Sequence, residues 1–412
     1  MIFRCCTLLV SLLAIALGCL FYGLQQPKYT EAAVRKLAEL GNVSPDIWKH
    51  IEVLDETAWA DIITKLNLGI AEGYMHGKLK VDPLPFFITL LNDTALGTRR
   101  KDHASPVLDL IVKAILLPQD MMAYLTNQQS RELSSRVTKQ HYDAGNDLYE
   151  VMLGPSMSYT CAYWKDATNL DDAQRNKFNL IYRKLELEPG MKVADLGMGW
   201  GTAAAHMHEH GKVDVTGVSL SEQQVKWAQA HLTKPGLQFI WSDYRDHCED
   251  PKYQGYYDRV YSIGMLEHVG YKNLEPFFRC VKQLLKPDGL AVIHSIGEPD
   301  FVPMSDPFFD KYIFPGAVIP ALSSVMPAVE NLFIVEDFQN FGYDYAATLA
   351  AWRKNSEVFF KKNPTAYTPE FQRMWDYYLC MCEALFELRI NQLWHFVLSP
   401  RPATRKRIAR QL

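Results

Sequence analysis

The segment Met191-Lys192-Val193-Ala194-Asp195-Leu196-Gly197-Met198-Gly199-Trp200-Gly201-Thr202 decides the fold. It is a short apolar run, then a glycine loop, then the start of a helical pattern over 202–210. The step repeats downstream. Residues 213–218, 257–263 and 290–295 read as further strands, with helices over 222–231 and 273–285 between them. Strands and helices alternating at this spacing predict an α/β, doubly wound, mostly parallel sheet with right-handed crossovers. Ligands in such sheets sit beyond the carboxyl ends of the strands, so the glycine loop marks a binding site.

The loop reads G-x-G-x-G, not the G-x-G-x-x-G of dinucleotide folds. The second strand ends in Val218-Ser219-Leu220-Ser221, without the acidic residue that a dinucleotide ribose requires. Glycines let a ligand approach the backbone, and the N–H groups opening a helix have no intrahelical partner. Asp195 stands two residues before the first glycine, where a carboxylate can meet an ammonium or order the loop. An S-adenosylmethionine (SAM) loop is the favoured reading; a plain turn into a helix is the alternative.

The chain has 412 residues, enough for two or three domains. Its 43 basic and 47 acidic residues give a net charge of −4. That excludes nucleic-acid binding driven by overall positive charge, while a local basic patch remains open. The eight cysteines show no CxxC metal spacing, and Cys380 and Cys382 are too close for an ordinary disulfide. Reduced thiols in a cytosolic compartment are expected. No metal site is expected.

Residues 5–24 carry no charge, the length needed to cross a bilayer core. A membrane anchor over 1–26 is expected, with a cleaved signal peptide as the rival. Flanking charge does not settle its orientation; the need for a cytosolic metabolite places the bulk of the chain in the cytosol. Residues 29–130 read as a small domain of short helices and a linker. Pro45-Asp46-Ile47-Trp48 opens one helix, 57–66 forms another, and Pro83 and Pro85 break the pattern before the apolar stretch 86–91. The polar basic stretch 97–102 reads as a solvated loop or a contact for anionic lipid, and 106–126 returns to apolar helix.

From 137 onward, ordered blocks carry a resemblance. They include His141-Tyr142-Asp143-Ala144-Gly145-Asn146-Asp147, Tyr159-Thr160-Cys161-Ala162-Tyr163-Trp164, the glycine loop itself and Ser242-Asp243-Tyr244-Arg245-Asp246. Further on stand Gly264-Met265-Leu266-Glu267-His268-Val269-Gly270, His294-Ser295-Ile296-Gly297, Asn340-Phe341-Gly342-Tyr343-Asp344-Tyr345 and Tyr377-Tyr378-Leu379-Cys380-Met381-Cys382. The sequence resembles the cyclopropane-fatty-acyl-phospholipid synthase family, mycolic acid cyclopropane synthase-like enzymes that depend on SAM. The resemblance implies a seven-stranded methyltransferase sheet within a catalytic domain over 137–412. Residues 68–77 resemble, more faintly, the amino-terminal domain of the bacterial phospholipid enzymes. Three positions depart from the family pattern: Lys78 replaces a tryptophan, Met198 a cysteine and Thr202 a glycine.

The resemblance implies the chemistry. An isolated alkene attacks only a strong electrophile, and the sulfonium methyl of SAM is one. Attack leaves a carbocation, and a base must take a proton from the new methyl to close the ring. The family's base is bicarbonate, whose cradle here would be His294, Tyr345, Glu267 and the backbone N–H groups of Cys161 and Ile296. Read alone, His294 is equally a buried structural histidine, and Tyr345 and Cys161 are packing residues. Cys382 matches a cysteine considered catalytic, although the chemistry needs no thiolate; a structural role beside the lipid is the alternative. Tyr159 and Thr160 would hold the methionine end of SAM, and Asp195, Gly197, Gly199 and Gly201 form its loop. Ser219, Leu220 and Gln224 would address the ribose side, and Trp241 the adenine.

The expected reaction is methylene transfer to the cis double bond of an unsaturated phospholipid acyl chain. Methyl branching of an unsaturated lipid or sphingolipid is the nearest rival, then N-methylation of an amine, then a tethered scaffold without catalysis. The expected partners are the membrane and its unsaturated phospholipid, not nucleic acid; a homodimer is one open option. Five basic residues from Arg401 to the terminus could contact lipid phosphates at roughly 1 kcal/mol each, or simply be solvated. Phe308, Phe309, Tyr312 and Phe314 suit either an acyl tunnel or ordinary core.

Overall fold

A computed structural model describes residues 27–93, 106–131 and 146–402. They form two compact units. One takes the described residues up to Pro118 together with Asp306–Phe308 and Tyr367–Met381; the other takes Gln119–Ser305, Phe309–Ala366 and the chain from Cys382. Both units are discontinuous in sequence, in contrast to an uninterrupted division at 130 and 137. The membrane-anchor stretch 1–26, the basic loop 97–102, most of the 141–147 block and the basic tail beyond 402 lie outside the described residues. Among the described residues no helix is long and apolar enough to cross a membrane.

The first unit is mainly helical, with helices Pro27–Leu40, Ala58–Lys65, Asn67–Met75 and Pro83–Asp93. It also contains an antiparallel ribbon, β1 (Ile51–Val53) with β2 (Leu79–Val81), which the expectation of helices alone omits. Pro83 and Pro85 do not break a helix; they start one, in the first turn, where a missing N–H costs nothing. Late residues complete this unit. The Tyr377 hydroxyl donates to Asn67 Oδ1 (2.7 Å), and its ring meets Phe87 and Phe308 edge-on.

The second unit is built on seven strands. They are β3 (Lys192–Leu196), β4 (Asp214–Ser219), β5 (Leu237–Trp241), β6 (Tyr257–Ile263), β7 (Leu285–Gly297), β8 (Phe333–Asn340) and β9 (Gln392–Pro400), in the order β5-β4-β3-β6-β7-β9-β8. Strands β5 to β7 pair in parallel along that order, and β9 runs antiparallel to both neighbours. Both faces of the sheet are buried. Val193, Val215, Tyr261 and Val292 pack with Phe178, Ile181, Ala204 and Met207 on one side. Ala194, Val260, Ala291 and Ile293 pack with Phe277, Phe278 and Val281 on the other. Alternate residues of each strand thus enter opposite cores, which is why these strands read as continuous apolar runs. Chain order reverses between β3 and β6, the switch point where α/β sheets bind ligands.

One cysteine expectation is corrected. Cys248 and Cys280 are joined as a disulfide, with Cα atoms 5.5 Å apart. They lie on helices Tyr244–Glu249 and Leu274–Leu284, brought together by packing on one face of the sheet. Cys161 and Cys382 are free thiols.

Candidate active site

The glycine loop turns out of β3 between the ends of β4 and β6. Gly197 N–H donates back to the Val218 carbonyl (2.9 Å), and the Ser262 hydroxyl donates to the Leu196 carbonyl (2.7 Å). Gly197 and Gly199 both have positive φ, and a Cβ at Gly197 would lie 2.9 Å from the Met265 side chain. Gly199 faces open space, so its backbone is available to a ligand.

A cleft opens there, lined by Tyr159, Thr160, Asp195, Gly197, Gly199, Ser219, Leu220 and Gln224 among others. Those are eight of the ten residues expected to hold SAM. The other two stand apart from the lining. Gly201 is needed for packing, because a Cβ there would meet Phe239 and Ala228. Trp241 is largely exposed, with its indole N–H donating to the Leu220 carbonyl (3.0 Å); Ser242 lines the cleft instead. The sequence reading also missed Ser158, Met198, Tyr244, Arg245, Met265 and His268 on the lining. Several of them fall inside the quoted blocks, one or two positions from residues that were chosen.

The cleft carries unmet polar groups. His268 Nδ1 is buried without a partner, and both carboxylate oxygens of Asp195 are buried with only the Tyr261 hydroxyl beside them, outside good hydrogen-bond geometry. Burial raises the Asp195 carboxyl to about 7 and lowers the His268 imidazole to about 4. Poorly paired groups of both kinds, beside an open glycine backbone, fit a zwitterionic, polar ligand such as SAM.

A second cluster lies directly behind the cleft wall, and the sheet explains how it forms. Glu267 stands on the short helix Leu266–Val269 after β6; His294 and Ile296 lie on one face of the end of β7. Tyr345 opens the helix Tyr343–Lys362, and this helix is tied to the Cys161 segment. Ala162 N–H donates to Thr348 Oγ1 (3.1 Å) and Trp164 N–H to Asp344 Oδ2 (2.8 Å). Burial pushes the Tyr345 hydroxyl up, and its neighbours Cys161, Glu267, Tyr159 and Cys382 push it further. Cys161, Glu267, Tyr345 and Cys382 therefore share one locality, and the buried Lys177 acts on both Cys161 and His294.

The detail of the cradle differs from expectation at one point. The Ile296 N–H does not face an open site; it donates to Glu267 Oε1 (2.6 Å). Glu267 Oε2 is buried without a partner, and burial raises this carboxyl to about 7. Among the described residues no hydrogen bond engages the Cys161 amide. Burial pushes both the Cys161 and Cys382 thiols up, so neither presents a thiolate. The aromatic group divides. Phe308 packs in the first unit against Tyr377, whereas Phe314 approaches Tyr159 and His268 in the second.

Lys177 was missed altogether. It is fully buried on the helix Leu170–Lys184, and its ammonium donates to the hydroxyls of Ser158 and Thr160 (2.7 Å to the latter). Gln174, one turn earlier, donates to the carbonyls of the same two residues. Burial lowers the lysine to about 7. The two side chains grip the extended segment that carries Tyr159 into the cleft and Cys161 into the cluster.

The sequence profile of the mycolic acid cyclopropane synthetase family matches residues 129–396. Cyclopropane-fatty-acyl-phospholipid synthase of Escherichia coli is 37% identical over 360 residues, covering 87% of this chain and 90% of that protein. Sphingolipid C9-methyltransferase of Candida albicans is 32% identical over 264 residues, covering 61% of this chain and 52% of that protein. The crystal structure of mycolic acid cyclopropane synthase CmaA1 complexed with SAH and CTAB matches with a TM-score of 0.58 at 28% identity, covering 64% of this chain and 97% of that one. The chain belongs to the mycolic acid cyclopropane synthetase family and is a SAM-dependent methyltransferase.

Proposed function

We propose that the enzyme transfers a methylene group from SAM to the cis double bond of an unsaturated phospholipid acyl chain, forming a cyclopropane ring. The observation that carries this reading is the buried, incompletely paired cluster of Glu267, His294, Tyr345 and the Cys161 amide behind the SAM cleft. An amine acceptor brings its own lone pair and needs no such cluster.

SAM, when bound, supplies an electrophilic methyl group at the glycine loop. Asp195 and the loop backbone bind and orient its polar end, and Gly199 allows close approach. Bicarbonate fits the second cluster and would supply a base there. The Cys161 N–H, the Tyr345 hydroxyl and the His294 ring are donors suited to an oxyanion. Glu267 Oε2 is suited to accept from the bicarbonate hydroxyl. Glu267 bonded to the Ile296 amide would rearrange to admit the anion. The surrounding aromatic side chains exclude water from a carbocation.

Lipid access follows the same reading. The stretch 1–26 would anchor the chain in a membrane, with the catalytic unit facing the cytosol and the basic tail meeting lipid phosphates. The Escherichia coli relative, a cyclopropane-fatty-acyl-phospholipid synthase, supports a phospholipid substrate. The Candida albicans relative favours a second reading, in which the carbocation loses a different proton and leaves a methyl branch on a sphingolipid.

The test is incubation of the purified protein with SAM and liposomes of a cis-monounsaturated phospholipid, followed by mass spectrometry with double-bond localisation. A gain of one CH₂ with loss of the alkene is expected. The same gain with the alkene retained establishes branching. No lipid product across a panel of unsaturated lipids, despite SAM binding, overturns both readings.

A further inference from the structure

Strands β7 and β9 pair antiparallel, and their register sets His294 directly opposite His395. Residues opposed in this way share a face of the sheet, and the two rings meet: His294 Nδ1 and His395 Nε2 are 2.8 Å apart. Both rings are buried, and the Phe341 ring packs against each of them. A histidine is out of place in β9, whose other residues from Leu393 to Leu398 are apolar. Nothing in the expected cradle asks for it.

We propose that His395 is a positioning residue that holds His294 in the tautomer protonated on Nε2. Two neutral imidazoles that share one hydrogen bond have two possible arrangements, and the surroundings distinguish them. Suppose His294 Nδ1 carried the proton and donated it. His395 Nε2 would then be the acceptor, and its own proton would sit on Nδ1. That nitrogen is buried without any partner, so the arrangement strands an N–H donor in the core. Stranded buried N–H groups are rarer than under-used acceptors. In the opposite arrangement His395 Nε2–H donates to His294 Nδ1, and the orphan is only a lone pair. The remaining His294 proton then lies on Nε2, the ring nitrogen that His395 does not engage.

The charged groups around the pair keep it neutral. Burial lowers both imidazoles well below their ordinary range, and Lys177 and Lys184 each add repulsion, as does His294 toward His395. Lys184 is itself paired with Asp337 (2.9 Å). A neutral His294 with its proton fixed on Nε2 is a hydrogen-bond donor that needs no titration to act. This rests on the reading of His294 as a donor to the bound anion, but the tautomer can be observed independently of it.

The experiment uses full-length protein labelled with ¹⁵N-histidine, with two-bond ¹H–¹⁵N correlation spectra and the His294 signals assigned by their loss in His294→Asn. The wild type is expected to show His294 protonated on Nε2. His395→Gln, whose amide can still donate to Nδ1, is expected to keep that tautomer and most of the activity. His395→Phe is expected to give a mixture of tautomers and to lower kcat by at least about tenfold with little change in KM for SAM. An Nδ1-protonated His294 in the wild type, or an unchanged tautomer in His395→Phe, overturns the proposal. A tautomer that shifts in His395→Phe without change in kcat supports the assignment and instead overturns the role given to His294 in catalysis.

Discussion

The loop from Asp195 to Gly201 and the set Cys161, Glu267, His294 and Tyr345 belong to one unit, but the chain assembles them in different ways. The loop is local. Seven consecutive residues, from the end of β3 to the start of the helix Thr202–Gly211, create it, and its openness comes from glycines. The cluster is non-local. Its members come from four separate stretches, and tertiary contacts such as Ala162 to Thr348 and Ile296 to Glu267 bring them together. A locally built cleft can lose one side chain and keep its shape. A cluster of buried polar groups has no solvent to replace a missing partner, so each member matters more.

That contrast can be broken most directly at Glu267. Glu267→Gln keeps an oxygen to accept from the Ile296 amide, so the fold should persist. It removes the carboxylate from the cluster. Product formation should fall by about 10²–10³-fold, while SAM affinity measured by calorimetry stays within about threefold. A fall in both together, or in neither, would mean that cleft and cluster are not the separate devices described above.

Asp195 sharpens the comparison from the cleft side, through pH. Its carboxyl is raised by burial to about 7 from an ordinary 3.8. The folded state therefore binds a proton that the unfolded state has released, and this contribution to stability is lost as pH rises through that range. Without SAM, Asp195→Asn should gain about 2 kcal/mol relative to wild type between about pH 5 and 7, at about 1.4 kcal/mol per pH unit. Urea unfolding at the two pH values reads this. Parallel stability curves would show that the buried carboxylate is solvated or paired in solution.

The same contrast explains what could be read from sequence. Strands β3, β4 and β6 were legible because each is an apolar run feeding a turn. Strand β5 was missed because Gln238 and the exposed Trp241 dilute its pattern. Strand β9 was missed although its residues are buried, because His395 interrupts the run. The glycine loop announced a ligand by itself, whereas His294, Glu267 and Tyr345 could be tied together only through the family resemblance. Spacing along the chain does not encode a contact made across a sheet. Lys177 did leave a signal. Leu170, Ala173, Phe178 and Ile181 form a buried stripe, and Gln174 and Lys177 fall on it. A lysine on an apolar stripe is a buried lysine, and the stripe over 170–181 is absent from the sequence reading.

The smallest expected effect tests how the cleft absorbs its departure from the family pattern at Met198. The side chain of Met198 packs over Gly217 in the middle of β4. A Cβ added to Gly217 would come 2.5 Å from the Met198 sulfur and 3.1 Å from its Cβ. The methionine is thus tolerated because the facing residue has no side chain. Gly217→Ala should cost about 1–3 kcal/mol, the usual penalty for overpacking a filled core. Met198→Cys shortens the side chain and removes its reach, so the double variant should recover at least about 1 kcal/mol of that loss. Urea unfolding of the four proteins gives the coupling directly. Full additivity would show that the loop moves as a body to make room, and that its geometry is softer than the packed strand beneath it.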